Sequence, residues 1–494
     1  MSTAGAAPKR RTLIVNAALR AFTEVAGKLA SIVLFAVIAR KLGEVPLGQY
    51  VLALSLTQII WVAGDFGTNR YLLQETARDH DFIRGVFFDA VGIKVVVAGG
   101  LTLLAFAVSA AVSGFHATTW LLALVGASMV CDLVATVPLT IFIAREEMRY
   151  YTYAAIPNKY LQALIGVVIL LLGGGIVDVG VAAVVSSAAA LAISFWLAYR
   201  HYPPPLLKLT PRRWLPLLKR SGMFGAQDVL AQAVMRIDAI LLSLLAAGAA
   251  VGWYGASYRL IDATLFITWS VVVSATPMYS YLTNTSTPTL RDIYGDSVRL
   301  VMALIVPISV TLLVCARPIV QFAYGLDQFE PSVLTLQLLA FSPIFYAISN
   351  QAATLILTRT NGRPVVIAFG AALAFNVVLN LILIPIWSYK AAAGVTLATE
   401  ALLALWCVIA TRPLVSGLPW FRLLVAPMAG ATAMAAGEVV CGETLWLALP
   451  VGAVLYLTVS IGIELRLLGG TLPRLRRGAA AAEQAAVSVP PTEP

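Results

Sequence analysis

The chain has 494 residues, 60% hydrophobic and 12% charged, with a mean hydropathy of +0.87. A soluble globular domain spends about a quarter of its residues on Asp, Glu, Lys and Arg, so this composition excludes one and defines an integral membrane protein. The net charge is 34 − 24 = +10, which in a membrane chain reads as a basic cytoplasmic face, not a nucleic-acid surface.

A spanning helix needs about 20 mostly apolar residues, and such runs recur from residue 13 to 468, giving about fourteen spans. The runs are too long and too little alternating for barrel strands. The expected fold is therefore an all-α integral membrane protein. The first run, Leu13 to Lys41, carries Arg20, Glu24 and Lys28 at intervals of four. At about 3.6 residues per turn these form one polar stripe. A charge at the bilayer centre costs about 2.5 to 3.5 kcal/mol on insertion scales, so the stripe is expected to face a cavity or other helices. The run is too long and too charged for a cleaved signal peptide and is expected to stay in the mature protein.

The turn Leu42-Gly43-Glu44-Val45-Pro46-Leu47-Gly48 leads to a second span over 49–73, which ends around Asp65-Phe66-Gly67. Spans three to six fall at 84–113, 118–144, 152–172 and 177–199. Lys94, Asp132 and Lys159 lie near their middles and alternate in sign, so mutual pairing is expected. The basic, proline-containing stretch 200–220 reads as a cytoplasmic linker, since the consecutive Pro203, Pro204 and Pro205 cannot continue a helix. Span seven (224–245) carries Asp228, Arg236 and Asp238, and span eight (253–281) carries Arg259 and Asp262. Arg236 and Asp238, two apart, point to different faces and cannot pair directly. Spans nine to twelve fall at 299–315, 332–357, 364–386 and 391–409, with Glu400 the buried acid of the last. Two final spans, 423–440 and 445–467, read as lipid-facing additions, followed by a cytoplasmic tail expected to be disordered.

Leu47-Gly48-Gln49-Tyr50 enters span two and Val251-Gly252-Trp253-Tyr254 enters span eight. This echo predicts a duplicated architecture: an N-terminal lobe over 1–199, the linker 200–220, a second lobe over 221–412, two extra helices over 413–468 and the tail 469–494. With an even number of spans in each, the two six-helix lobes run parallel around a central cavity. Basic residues concentrate on one side of the membrane, which puts both termini in the cytoplasm.

No P-loop, His-Glu-x-x-His or Gly-x-Ser-x-Gly occurs, and the expectation is a transporter with no cofactor and no metal, not an enzyme. The four cysteines lie in separate spans and the three histidines in loops, a poor set for a metal. Buried cations exceed buried acids: Arg20, Lys28, Lys94, Lys159, Arg236 and Arg259 against Glu24, Asp132, Asp238, Asp262 and Glu400. A cationic lining in a low-dielectric wall holds anions, and the planar guanidinium suits phosphate oxygens. Internal pairing, as in Arg20 with Glu24 or Arg259 with Asp262, accounts for some of these charges.

Three stretches carry a family resemblance. They are Ala39-Arg40-Lys41-Leu42-Gly43 with Gly48-Gln49-Tyr50 and Asp65-Phe66-Gly67; Arg236-Ile237-Asp238 with Val251 to Leu260; and Leu339-Ala340-Phe341 to Asn350 closed by Arg359 to Arg363. Together they are similar to the polysaccharide or oligosaccharide flippases of the multidrug, oligosaccharidyl-lipid and polysaccharide exporter superfamily. The resemblance implies two rocking lobes that move an undecaprenyl-pyrophosphate-linked oligosaccharide across the cytoplasmic membrane for surface polysaccharide assembly. It makes Arg20, Lys28, Arg236 and Arg259 candidate phosphate contacts beside Lys94 and Lys159. Glu24, Asp238 and Asp262, with Glu400, become candidates for ion coupling. The implied partners are the lipid-linked substrate, membrane lipids and a polysaccharide polymerase, with no nucleic acid. A lipid II flippase and a drug/cation antiporter are alternatives on the same fold, and an intramembrane glycosyltransferase or ligase is the alternative from another class.

Overall fold

The computed structural model describes residues 27–203, 206, 209–281, 287–360, 362–415, 417–442 and 444–467, and every regular element in them is a helix. Residues 27–42 form α1. There follow α2 (Glu44–Asp65), α3 (Thr68–Arg78), α4 (Phe82–Ser113), α5 (Ala117–Ala144), α6 (Met148–Leu171), α7 (Ile176–His201), α8 (Trp214–Leu245) and α9 (Gly248–Tyr281). The rest of the chain gives α10 (Thr287–Val314), α11 (Ala316–Ala323), α12 (Glu330–Leu339), α13 (Ser342–Arg359), α14 (Arg363–Trp387), α15 (Tyr389–Thr411), α16 (Trp420–Cys441) and α17 (Leu445–Leu467).

Among the described residues, 12 stretches are long and apolar enough to cross a membrane. The expected fourteen also count α1, whose described part is short, and α8, which carries Asp228, Arg236 and Asp238 within its apolar portion.

Two expected spans are broken. Span two ends early because Phe66 (φ 40°) and Gly67 (φ 75°) both adopt the left-handed conformation, which closes α2 and opens α3. Span ten splits between Leu339 and Ser342, just before Pro343, which has no N–H to give the preceding turn. The short α11 has too few apolar residues to stand out in the sequence.

The chain divides into two compact units, Met1–Ala256 and Ser257–Pro494. In the first, α5 packs against α2, α4 and α7, α6 against α7, and α2 against α8. Leu72, Ile83, Phe87, Val137, Phe142 and Leu197 form a buried cluster there. Lipid is as apolar as leucine, so helices associate through close packing more than through the hydrophobic effect, and small residues at the contacts matter. The repeated Gly-x-Tyr motifs illustrate this within the first unit. A Cβ on Gly48 would lie 2.5 Å from the Gly248 carbonyl oxygen, and one on Gly252 would lie 2.0 Å from the Glu44 carbonyl oxygen. The two echoed glycines thus meet, α2 against the start of α9, through a Gly248-x-x-x-Gly252 face.

The stretch expected as a linker, 200–220, is partly helical, since α8 begins at Trp214. Asp89 of α4 accepts from the Thr210 amide (2.6 Å) and from the Trp214 indole N–H (3.1 Å), while Leu206 N–H donates to the Arg84 carbonyl (3.0 Å). These bonds fasten the segment to α4.

In the second unit α13 and α14 pack on α15, and α16 packs on both α17 and α10. Tyr279, Tyr294, Val298, Val301, Met302 and Ile305 anchor its core. The last two spans are more than lipid-facing additions. Glu438 of α16 is buried and accepts from the Thr311 hydroxyl at 2.7 Å, and Glu464 of α17 pairs with Arg299. An acid in lipid needs such partners, and both are supplied by α10.

Candidate functional site

The break between α2 and α3 organises a buried polar knot. Asp65 Oδ1 accepts from the Thr68 hydroxyl (3.0 Å) and the Asn69 backbone amide (3.2 Å), serving one of the amides left without an intrahelical partner at the start of α3. Lys94 of α4, fully buried, places Nζ 2.5 Å from the same oxygen and 3.1 Å from Asn69 Oδ1. Thr136 of α5 donates to Asn69 Oδ1 at 2.9 Å. Lys94 therefore pairs with Asp65, not with Asp132 as its sign and position predict. It has no exposed surface in this conformation.

Thr136 also lines an open cavity of about 310 Å³ bordered by α2, α5, α6 and α7 within the first unit. Asp132 and Lys159 meet here, as expected from their spans: Lys159 Nζ is 3.9 Å from Asp132 Oδ2, and the lysine is 48% exposed. Asn158 Nδ2 donates to Asp132 Oδ1 at 2.7 Å. Gln58 of α2 lines the same cavity and accepts from Gln232 of α8 at 2.9 Å, and Arg70 of α3 pairs with Asp228 of α8 at 3.0 Å. Sequence reasoning missed Gln58, Trp61, Thr136 and Asn158. An uncharged polar side chain in a span gives little signal, although Asn158 stands directly beside Lys159.

Arg20 and Glu24 lie outside the described residues. Lys28 is half-buried on α1, one residue from Gly27, which touches the Lys159 stem: a Cβ on Gly27 would lie 3.3 Å from Lys159 Cγ. On α8, Arg236 is half-buried and Asp238 fully buried, and Asp238 accepts from the Tyr254 hydroxyl at 3.3 Å.

In the second unit Arg259 pairs with Asp262 at 3.6 Å, one turn apart on α9, as read from the sequence. Glu400 is buried on α15. Near it in sequence, Thr399 accepts from Asn376 Nδ2 (3.2 Å), and Asn376 Oδ1 accepts from Asn380 Nδ2 (2.9 Å). This buried amide and hydroxyl chain between α14 and α15 was not anticipated, because none of its members is ionisable.

A many-helix chain with 12 stretches apolar and long enough to cross a membrane among its described residues defines a multi-pass membrane protein. The fold agrees with solved structures of that class. One described as the lipid II flippase MurJ in an inward closed conformation has a TM-score of 0.74 at 14% identity, covering 92% of this chain and 100% of that one. An inward-facing multidrug resistance MATE family transporter of the MOP superfamily has a TM-score of 0.66 at 13% identity, covering 78% and 95%. A MOP superfamily transporter from Pyrococcus furiosus, described as having a binding pocket of reverse polarity that suggests a different function, has a TM-score of 0.58 at 13% identity, covering 81% and 95%. No curated protein sequence matches the chain significantly. The sequence model of the family described as polysaccharide biosynthesis protein matches residues 13–283. The chain belongs to that family.

Proposed function

We propose that the protein is a flippase that carries an undecaprenyl-pyrophosphate-linked oligosaccharide across the cytoplasmic membrane by alternating access, with both termini cytoplasmic and a surface polysaccharide as the downstream product. The observation that carries this reading is the polysaccharide biosynthesis family match over residues 13–283. The expected two-lobe organisation, 1–199 and 221–412 with helices over 413–468, supplies the moving parts.

The candidate phosphate contacts are Arg20, Lys28, Lys94, Lys159, Arg236 and Arg259. Lys94 is withdrawn into its pair with Asp65, Lys159 stands beside Asp132, and Arg259 stands beside Asp262. A cation beside an acid attracts a second anion weakly, and the planar fork of an arginine suits a phosphate. Glu24, Asp238, Asp262 and Glu400 are the candidate coupling acids, and a polymerase is the proposed downstream partner.

A second reading, lipid II translocation, is favoured by the likeness to the MurJ fold at a TM-score of 0.74. The two separate in proteoliposomes. Purified protein is supplied with undecaprenyl-pyrophosphate-linked oligosaccharide or with lipid II, and movement is read as the fraction of headgroup accessible to an impermeant sugar-modifying enzyme. The flippase reading expects movement of the oligosaccharide lipid and its loss in Arg236→Ala. Movement of lipid II alone supports the second reading, and headgroup transfer to an acceptor would establish a ligase.

A further inference from the structure

We propose that Cys315 and Cys441 are a dithiol pair that a thiol–disulfide oxidant closes into a disulfide, fastening the end of α10 to the end of α16. Neither residue belongs to the transport machinery proposed above.

Three sets of contacts within the second unit fix the register. Thr311 of α10 donates to Glu438 of α16 at 2.7 Å. The Tyr456 hydroxyl donates to the Ala303 carbonyl at 2.7 Å and Glu464 pairs with Arg299, so α17 runs antiparallel to α10. Ser460 donates to the Ala426 carbonyl at 3.1 Å and Glu438 lies against Gly452, so α17 also runs antiparallel to α16. The helices α10 and α16 are therefore parallel and end together.

Cys315 stands one turn beyond Thr311, its amide still bonded to the Thr311 carbonyl at 2.8 Å, and Cys441 stands one turn beyond Glu438. The step from Thr311 to Cys315 rises about 6 Å and turns about 40° past a full circle, whereas the step from Glu438 to Cys441 rises about 4.5 Å and stops about 60° short. On parallel helices that face each other, these opposite turns carry both side chains to the same flank of the Thr311–Glu438 contact, at nearly one level. Cys315 lies within electrostatic reach of both Glu438 and Cys441. At the same end, the Phe322 ring of α11 meets the Trp446 ring of α17 edge to face, 5.9 Å between centroids. The Arg317–Glu330 pair beside it is about half exposed, which marks the edge of the apolar layer.

Among the described residues no group of three His, Cys, Asp or Glu is placed to hold a metal, so the chemistry the two sulfurs share is their own pairing. Both are free thiols in this structure; Cys315 is 1% exposed and Cys441 is partly exposed, so Cys441 reacts first. Its thiolate attacks the oxidant's disulfide, forming a mixed disulfide and releasing one thiol. The Cys315 thiolate then attacks Cys441 Sγ and displaces the second thiol. The two cysteines lose two protons and two electrons, and the oxidant becomes two thiols. In the orientation proposed above this end lies outside the cytoplasm, where disulfides persist.

The test uses the full chain carrying Cys131→Ala and Cys407→Ala, held in membranes, reduced and then treated with dithiodipyridine, a small apolar thiol–disulfide oxidant. Free thiols are counted after denaturation with maleimide-linked polyethylene glycol, and adducts are read by intact mass. The inference expects both thiols to be lost, no pyridylthio adduct to remain, the chain to run as a monomer on a non-reducing gel, and both thiols to return on reduction. Adding Cys315→Ser should leave the adduct standing on Cys441. The oxidised chain is expected to melt several degrees above the reduced chain in detergent, as a cross-link that restrains the unfolded state does. Thiols that stay free, separate adducts that persist on the two cysteines, or a dimer linked through Cys441 overturns the pairing. A closed disulfide with an unshifted midpoint overturns the fastening.

Discussion

Lys94 Nζ lies 2.5 Å from Asp65 Oδ1, with the lysine fully buried, and this pair joins α4 to the break between α2 and α3. Removing one partner strands the other as a bare buried charge, which costs about 3 to 5 kcal/mol. Lys94→Met and Asp65→Asn are each expected to lower the thermal unfolding midpoint in detergent and the amount of protein in the membrane. The double variant is expected to recover much of the loss, since it buries no net charge. A double variant as unstable as the sum of the singles would show that the pair is not the source of the effect.

A loss of transport is expected at Arg236. Arg236→Ala should leave the protein at its normal level in the membrane while reducing polymer export by at least about tenfold, the loss of one charge-assisted phosphate contact. Arg236→Lys should restore export only partly, because an ammonium cannot make the bidentate contact. Immunoblots of membranes alongside surface polysaccharide measure both. Normal export in the alanine variant counts against the phosphate assignment.

Gly252 admits no side chain, since a Cβ there would sit 2.0 Å from the Glu44 carbonyl oxygen. Gly252→Ala must push α9 off α2, and overpacking of this kind costs about 1 to 3 kcal/mol. The variant is expected to melt several degrees lower in detergent. The same change at Gly99, where a Cβ would meet nothing within 4 Å, should be neutral in the same assay.

Thr311→Val takes from Glu438 the hydroxyl that donates to it at 2.7 Å. Leaving a buried acceptor short of its donor costs about 1 to 3 kcal/mol, and the loss falls on the contact between α10 and α16. Thr311→Ser keeps the hydroxyl and is expected to melt close to wild type. Equal midpoints for the valine and serine variants would contradict this role.

Outside the membrane, Tyr202 donates to Glu147 at the end of α7, and burial, reinforced by that bond, pushes its hydroxyl well above the ordinary tyrosine range. The folded chain therefore holds this proton where the unfolded chain releases it. Its contribution is fully present below the ordinary tyrosine pKa of about 10 and is lost as pH rises from there toward the raised folded value. Tyr202→Phe is expected to lower stability at neutral pH by about 1 kcal/mol and to flatten this alkaline decline in thermal melts taken across pH.

The sequence by itself determined the membrane class, the order of the spans and the charged residues inside them. Apolar runs of fixed length are dictated by bilayer thickness, and a charge within one stands out against them. It also gave the local pair Arg259 with Asp262, because a helix brings residues three apart together whatever surrounds it. Only the tertiary structure decided that Lys94 turns to Asp65 and leaves Asp132 to Lys159 and Asn158, that Gly48 faces Gly248 and Gly252, and that Glu438 finds Thr311. Those choices depend on which helices become neighbours and at what depth. The period of one helix specifies its own faces and carries no information about the partner each face will meet.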